Sequence, residues 1–167
     1  AYNERVKANP AFIRADSYTK LNVKNNIFYA PNAASGGRAL STNTPLSQIT
    51  ESNNLWKIGN VATPVTVNGV NSTLTQWQQQ TCAGGIPCGQ GDFIADPQFS
   101  STDVSSTDGL KPKSSSPAVD AGASVPAFED FAGAARPQDG PDADRTAQYD
   151  IGAYELQSIA GAVFNFY

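Results

Sequence analysis

Short apolar runs, separated by Asn, Gly, Ser and Pro, recur along most of the chain. Runs of this length between turn-forming residues are typical of β-strands. The predicted strands are Phe12–Ile13, Tyr18–Val23, Ile27–Tyr29, Leu55–Ile58 and Val65–Val70. Helical patterns are confined to two stretches, Tyr2–Ala8 and Thr73–Gln80. The pattern predicts an all-β protein.

One stretch of the chain repeats at an interval of 28 residues. Asn-Asn-Ile-Phe-Tyr at 25–29 is echoed by Asn-Asn-Leu-Trp-Lys at 53–57, although Val23 then aligns with Glu51. Asn tolerates left-handed backbone geometry, and its amide can bond to an equivalent amide in a neighbouring repeat. An interval of this size fits one coil of a solenoid, in which each turn of chain covers the apolar face of the next.

A series of short motifs occurs in a definite order along the chain. The motifs are Asn-Asn-Ile-Phe at 25–28, Asn-Asn-Leu-Trp at 53–56, Asp-Pro-Gln-Phe at 96–99, Ser-Pro-Ala-Val-Asp-Ala-Gly at 116–122, Arg-Pro-Gln at 136–138 and Asp-Ile-Gly-Ala-Tyr-Glu at 150–155. This series resembles the carboxy-terminal end of secreted bacterial right-handed parallel β-helix proteins, the pectate-lyase-like superfamily. The match covers roughly residues 20–156, and the last motif is its most specific part.

The resemblance implies a right-handed parallel β-helix, a solenoid with few coils and a loop-rich C-terminal cap. We expect a single domain over residues 1–167, with coils up to about residue 90 and the loop-rich region over about 91–167. Members of the family carry more coils and an amino-terminal cap. We therefore expect the chain to be the C-terminal portion of a longer solenoid, or its N-terminal coil to associate with another chain.

Composition and charge exclude several classes of function. The chain of 167 residues contains no His and two Cys, so His-based triads and His or Cys₄ zinc sites are excluded within one chain. No apolar run approaches the length of a membrane span, and no basic cluster is dense enough for nucleic acid. Residues 1–91 carry 7 basic and 3 acidic side chains, and residues 92–167 carry 4 and 12. This imbalance is either ordinary variation of the surface charge or a first half that tolerates anionic ligands and a second half that could hold a cation.

The two cysteines lie close together in the sequence. Between Cys82 and Cys88 stand two Gly and one Pro, which allow the segment to turn back on itself. We predict a local disulfide rather than two unrelated thiols. A disulfide favours an extracellular or cell-surface location.

An acidic loop is the candidate metal site. Asp139, Asp142 and Asp144 alternate with Gly, Pro and Ala, and alternating carboxylates can supply the oxygen ligands that Ca²⁺ prefers. The loop lacks the spacing and the final Glu of an EF-hand. The alternative is a solvated turn in which the Asp side chains bond to nearby backbone amides.

Any catalysis would have to use carboxylates, Lys, Arg, Tyr or a bound ion, because the chain contains no His. Asp96 and Asp120 would suit an acid and a base of glycoside hydrolysis at a separation of ~5–9.5 Å, although both stand in ordinary turn sequences. The resemblance implies a second route, because similar lyases use Ca²⁺ to acidify a uronate and a Lys or Arg as base. No motif selects that base among the candidates Arg5, Lys7, Arg14, Lys20 and Lys24. The catalytic residues, and whether there are any, stay open.

The candidate carbohydrate-binding residues are Trp77, Trp56, Tyr29 and Lys24. A flat aromatic face suits the C–H groups of a sugar ring. Trp77 stands in a polar segment, which favours a ligand-facing position, whereas Trp56 aligns with Phe28, which favours a core position.

Two functions follow from the sequence as hypotheses. The first is an extracellular protein that binds or processes a polysaccharide of anionic type, for example as the end of a polysaccharide lyase, with calcium as the candidate cofactor. The second is a structural cell-surface or filament-forming protein that acts by self-association.

Overall fold

The protein is built from short strands and one short helix. The computed structural model describes residues 11–16, 20–33, 37–103, 105–106, 108–141 and 146–157. The predicted helix Tyr2–Ala8 and the residues Arg5 and Lys7 lie outside this part of the chain. The elements are β1 (Ala11–Ala15), β2 (Leu21–Lys24), β3 (Ile27–Ala30), β4 (Arg38–Thr42), β5 (Ile49–Ser52), β6 (Leu55–Ile58), β7 (Val65–Val67), β8 (Val70–Ser72), α1 (Leu74–Gln78), β9 (Phe93–Ile94), β10 (Gln138–Asp139) and β11 (Ala147–Gln148), with 3₁₀ turns at Leu46–Gln48 and Ala83–Gly85.

The 28-residue repeat pairs strands side by side, as the sequence predicts. β2 lies parallel to β5 with Leu21 opposite Ile49, and β3 lies parallel to β6 with Phe28 opposite Trp56. Val23 lies opposite Glu51, so the register also continues through the position where the two repeats differ in residue type. The repeat therefore sets the register of two parallel strand pairs.

The prediction of a right-handed parallel β-helix is wrong. A β-helix needs strands that recur at a near-constant interval and extend the same few sheets. Here the interval between paired parallel strands is 28 residues in two pairs, but 25 from Leu40 to Val65 and 38 from Leu55 to Phe93. The described strands form four small sheets rather than a closed solenoid. The physical reason is that turns of unequal length separate strands of only two to five residues.

One sheet ends in a hairpin that the sequence pattern missed. The predicted strand Val65–Val70 is two antiparallel strands, β7 and β8, with Val65 opposite Ser72. Asn68 and Gly69 between them have φ of 49° and 78°, the geometry of a tight hairpin turn. An antiparallel neighbour leaves no place for a further parallel strand on this edge of β7.

The predicted helical stretch after the hairpin forms α1. Thr73 accepts a hydrogen bond from the Gln76 backbone, and the Gln76 side chain accepts one from the Thr73 backbone, which is a capping box. Leu74 and Trp77 both pack against the main core. The helix thus turns its apolar side inward.

The core consists of two clusters of buried side chains. The larger cluster contains Val23, Phe28, Ala39, Leu40, Ile49, Trp56, Ile58, Val65, Trp77, Cys82 and Cys88. The smaller contains Ile27, Leu55, Ala118 and Ile151. The second cluster joins the paired strands β3 and β6 to the C-terminal part of the chain.

The two Asn turns hold the C-terminal part of the chain in place. Asn25 and Asn53 have positive φ angles of 56° and 52°, as predicted for Asn at these corners. The Asn25 side chain bonds to both backbone groups of Ala123, and Asn53 Nδ2 donates to the Ala121 carbonyl. The segment that docks on the repeat is therefore the end of the Ser-Pro-Ala-Val-Asp-Ala-Gly motif together with the residue that follows it.

Among the described strands, β1, β2 and β3 each pair on one side only. Unpaired strand edges are sites where another chain can add. The predicted association through the N-terminal segment, and the single-domain organisation over residues 1–167, stay predictions.

Candidate functional site

A cavity of about 310 Å³ lies where the first Asn turn meets the C-terminal part of the chain. A volume of this size is at the lower end of the range of ligand-binding pockets. The lining residues come from the turn, from β3 and from three C-terminal segments; they are Asn25, Asn26, Ile27, Tyr29, Phe99, Leu110, Gly152 and Ala153.

Two asparagines fix the polar wall of the cavity. Asn25 is buried, and its carbonyl accepts the Gly152 N–H at 2.9 Å. Asn26 Nδ2 donates to the Lys24 carbonyl at 2.8 Å and to Asn54 Oδ1 at 3.1 Å. The hydrogen bond to Asn54 joins the side-chain amides of equivalent Asn residues in the two repeats, as the sequence predicts. Both hydrogens of the Asn26 amide are used, so its oxygen Oδ1 is the group it has left for a ligand.

Tyr29 forms the aromatic wall. Its half-buried ring meets Phe99 edge to face, with 5.1 Å between the ring centroids and 77° between the planes. Burial, and then the negative charge of Asp96, raise the pKa of the Tyr29 hydroxyl above its usual range. The hydroxyl therefore stays protonated at neutral pH and can both donate and accept a hydrogen bond.

The other predicted sugar-binding residues lie elsewhere. The Trp77 and Trp56 side chains are in the core, with 0% and 1% of their surface exposed. Neither ring can stack on a sugar while it is buried in this way. Lys24 is half-buried at the end of β2 and directly precedes the cavity residue Asn25. The structure therefore brings only Tyr29 of the four into the cavity wall.

The polar residues around Trp77 predicted a ligand-facing side chain, but the indole is buried and its N–H has an acceptor within the core. Trp77 Nε1 donates to Glu51 Oε2 at 2.7 Å. A buried indole N–H is normally satisfied in this way. The spacing of Leu74 and Trp77, three residues apart on one side of a short helix, is the signal that indicates a core position.

A pair of buried carboxyl groups was missed by sequence reasoning. Glu51 and Asp92 are 1% and 5% exposed. Asn54 donates its backbone N–H to Asp92 Oδ1 at 2.7 Å, and its side-chain amide to Glu51 Oε1 at 2.7 Å. The alignment of Glu51 with the apolar Val23 was the one available signal, and it looked like an imperfection of the repeat.

The pair holds a proton at neutral pH. Burial, with the hydrogen bond and negative charge of Glu51, raises the pKa of Asp92 to about 10. Oδ2 of Asp92 is buried and has no donor in the described part of the chain. A proton on Asp92 turns its contact with Glu51 into a hydrogen bond and removes the repulsion of two like charges. Both groups are too deep in the core for a polymeric substrate.

The two carboxylates predicted for glycoside hydrolysis belong to different clusters. Asp96 is exposed, and its charge acts on Tyr29. The Asp120 backbone N–H donates to Asp150 Oδ1 at 2.8 Å. The structure gives no sign that Asp96 and Asp120 act together on one bond.

The described candidate lyase bases Arg14, Lys20 and Lys24 are not among the lining residues of the cavity. Arg14 is exposed and bonds to Asp16 at 3.1 Å, and Lys20 is exposed. An exposed pair of this kind contributes little to stability. The described residues therefore supply no cation as a catalytic base in the cavity wall.

The C-terminal motifs form a buried ion pair. Arg136 Nε lies 2.5 Å from Glu155 Oε1, with 7% and 0% of the two side chains exposed. The other guanidinium nitrogens donate to the carbonyls of Gly152 and Asp150 at 3.2 and 2.7 Å. Glu155 Oε1 also accepts the Asp150 N–H at 3.0 Å. The buried ion pair and its hydrogen bonds thus hold the Arg-Pro-Gln motif against the Asp-Ile-Gly-Ala-Tyr-Glu motif.

The predicted calcium loop is described only in part. Asp139 lies in β10 and has one buried carboxylate oxygen, whereas Asp142 and Asp144 lie outside the described residues. No group of three or more His, Cys, Asp or Glu in the described part of the chain is arranged to hold a metal ion. A calcium site in the whole loop stays a prediction.

Cys82 and Cys88 form the predicted disulfide. The bond closes the segment that follows α1, and both cysteines are part of the main core. A disulfide is compatible with an extracellular protein.

No helix in the described residues is long and apolar enough to cross a membrane. Comparisons with protein-family models, with curated proteins and with solved structures found no match to the chain. The geometry of the cavity is therefore the main guide to function.

Proposed function

We propose that the protein is an extracellular carbohydrate-binding protein and that the cavity beside Tyr29 is its sugar-binding site. The observation that carries the proposal is the half-exposed Tyr29 ring beside the Asn26 amide in a cavity of about 310 Å³. An aromatic face with a few fixed polar groups is the composition of a small-ligand site. The Tyr29 ring packs against the C–H face of a sugar, and the Asn26 amide oxygen accepts a hydrogen bond from a sugar hydroxyl.

Two further observations support this proposal. The series of motifs that ends in Asp150–Glu155 resembles secreted proteins of the pectate-lyase-like superfamily, many of which act on polysaccharides. The Cys82–Cys88 disulfide is compatible with a location outside the cytoplasm. The proposal rests on these motifs and on the cavity, and it does not need the β-helix fold.

Binding is a better account of this cavity than catalysis. Among its eight lining residues Tyr29 is the only titratable side chain. A raised pKa keeps Tyr29 protonated, so it does not serve as a base at neutral pH. General acid–base chemistry needs a second group, and the lining residues do not provide one.

Removing the Tyr29 ring is expected to weaken sugar binding at least tenfold. A tenfold loss corresponds to about 1.4 kcal/mol. Tyr29→Phe keeps the ring and is expected to stay within about threefold of the original protein. The measurement is calorimetric titration with neutral and uronic oligosaccharides of four to six units, together with melting curves to confirm that each variant folds.

Phe128→Ala is the matched control for the loss of an aromatic ring. Phe128 is 77% exposed and does not line the cavity. Its removal is expected to leave binding unchanged. Equal losses in Tyr29→Ala and Phe128→Ala, or no binding of any sugar by the original protein, would contradict the proposal.

A further inference from the structure

A short antiparallel ribbon borders both the cavity and a second, open depression of about 600 Å³. In this ribbon Phe99 lies opposite Pro112, and the Ser100 N–H donates to the Lys111 carbonyl at 2.7 Å. Phe99 packs on Tyr29 and lines the cavity, whereas Ser100 and Lys111 line the depression. The two sites therefore lie beside the same pair of extended segments.

Two lysines share the face of the ribbon that lines the depression. Side chains of an extended segment alternate between its two faces, so Lys111 and Lys113 lie on one face and the buried Pro112 on the other. Neither lysine forms an ion pair with a carboxylate of the described residues. They are two of the 4 basic side chains that residues 92–167 carry against 12 acidic ones. The depression thus concentrates positive charge in a part of the sequence that is otherwise acidic.

The turn that follows the ribbon adds N–H donors to the same depression. The Ser116 N–H closes the turn on the Lys113 carbonyl at 2.9 Å, and the Ser115 hydroxyl donates to Gln98 Oε1 at 2.7 Å. The backbone N–H groups of Ser114 and Ser115 donate to no acceptor in the described part of the chain, and both residues are exposed. Successive N–H groups of a turn form a concavity that binds anions.

The lining also contains two further hydroxyls and one carboxylate. The Ser100 and Ser114 hydroxyls are donors of ordinary strength. Asp108 is exposed and is the one carboxylate among the lining residues. Its charge opposes that of a bound anion, so two ammonium groups act against one carboxylate.

From this arrangement we infer that the depression binds a tetrahedral oxyanion, a sulfate or phosphate group, with Lys111 and Lys113 as its charged ligands. The Ser114 and Ser115 N–H groups are its hydrogen-bond donors. Ammonium groups and N–H donors around one concavity can each bind a different oxygen of a tetrahedral ion, whereas a carboxylate has only two oxygens. The ion can be free, or it can be an ester group on a glycan. The inference does not rest on sugar binding in the cavity.

The test is an NMR titration of the ¹⁵N-labelled protein with sodium sulfate and, separately, sodium phosphate, with NaCl added to keep the ionic strength constant. We expect saturable shifts of the Ser114 and Ser115 amides. Lys113→Gln is expected to weaken binding at least threefold, and Lys111→Gln/Lys113→Gln at least tenfold, which corresponds to about 1.4 kcal/mol. Asp108→Asn is expected to strengthen it at least twofold, because it removes the opposing charge.

Lys20→Gln is the matched control for the loss of one positive charge. Lys20 is exposed and does not line the depression, so this variant is expected to stay within about twofold of the original protein. Equal losses in Lys20→Gln and Lys113→Gln would show that only the net charge of the protein matters and would overturn the inference. Shifts that do not saturate with either ion would overturn it as well.

A sulfated oligosaccharide and its unsulfated form distinguish the two sources of the ion. Chondroitin 4-sulfate tetrasaccharide is compared with unsulfated chondroitin tetrasaccharide. Tighter binding of the sulfated form than of inorganic sulfate, lost in Lys111→Gln/Lys113→Gln, supports the site with an ester as its ligand. Binding of the inorganic ions alone supports the site with a free ion as its ligand. If neither the ions nor the sulfated sugar shifts the Ser114 and Ser115 amides, the inference fails and the proposed function, tested at Tyr29, still stands.

Discussion

Asp92→Asn is expected to stabilise the protein by an amount that grows with pH. In the folded protein the pKa of Asp92 is about 10, because the group is buried against Glu51. In the unfolded chain the pKa of an Asp is ~3.9. The folded state therefore keeps a proton that the unfolded state releases, and the stabilisation from that proton is complete below pH ~4 and lost as pH rises towards 10.

The variant removes this pH dependence without removing the hydrogen bonds. The amide side chain introduced by Asp92→Asn would keep Oδ1 for the Asn54 donors and present an N–H to Glu51 in place of the shared proton. The difference in unfolding free energy between variant and original is expected to increase by about 1.4 kcal/mol per pH unit between pH 5 and 9. Denaturant unfolding at pH 5, 7 and 9 measures it. A difference that does not change with pH would contradict the shared proton.

Glu51→Gln is the contrasting variant for the same pair. Glu51 accepts the Trp77 indole N–H and the Asn54 amide with its two oxygens. Gln at this position has a single oxygen, so one of the two buried donors loses its acceptor, which costs ~1–3 kcal/mol. This variant is therefore expected to be less stable at pH 5, where Asp92→Asn differs least from the original.

Arg136→Met is expected to destabilise the protein by ~3–5 kcal/mol, the cost of leaving one member of a buried ion pair without its partner. The Glu155 side chain is fully buried beside Arg136, so water cannot replace the guanidinium. The carbonyls of Gly152 and Asp150 lose their donors as well. For a chain of this size such a loss lowers the melting midpoint by about 6–20 °C.

The double variant Arg136→Met/Glu155→Gln separates charge from packing. A neutral Gln side chain in place of Glu155 leaves no buried charge unpaired, but its single oxygen serves only one of the two backbone donors, Gln138 and Asp150, which Glu155 accepts on separate oxygens. We expect the double variant to recover part of the stability that Arg136→Met loses, because the donor left without an acceptor costs ~1–3 kcal/mol. A double variant less stable than the single one would mean that the charge of Glu155 is not the cause.

Local features of the fold were accessible from the sequence because they rest on local chemistry. Residue type and spacing account for the positive φ angles of Asn25 and Asn53 and for the disulfide. They also account for the side-chain hydrogen bond from Asn26 to Asn54. The parallel pairing at 28 residues followed from a repeat of apolar and aromatic residues. In each case a few neighbouring residues determine the outcome.

The global arrangement was not accessible in the same way. The 28-residue interval describes two strand pairs and does not continue beyond them. The Asn68-Gly69 turn makes β8 antiparallel to β7. A longer segment then separates Leu55 from its partner Phe93. The Asn-Gly dipeptide was a usable signal for the hairpin. The connection from β6 to β9 contains the hairpin, α1 and the segment closed by the disulfide, so it does not repeat the earlier turns.

The candidate site was only partly accessible for the same reason. Tyr29 was identified from its aromatic character, but the cavity exists only because Phe99, Leu110 and Gly152 from distant segments meet the Asn25 turn. Besides burial, the negative charge of Asp96, 67 positions further along the chain (29 to 96), raises the pKa of Tyr29. The charge balance of each half of the sequence does not reveal such an interaction.

A residue-resolved NMR titration of the ¹⁵N-labelled protein with a neutral oligosaccharide that binds in calorimetry tests whether the cavity is the sugar-binding site. We expect the largest amide shifts at Asn26, Tyr29, Phe99 and Gly152, and we expect Tyr29→Ala to abolish them. Shifts centred instead on the exposed Phe128 and Phe131, with the cavity residues unchanged, would contradict the assignment of the cavity as the sugar-binding site.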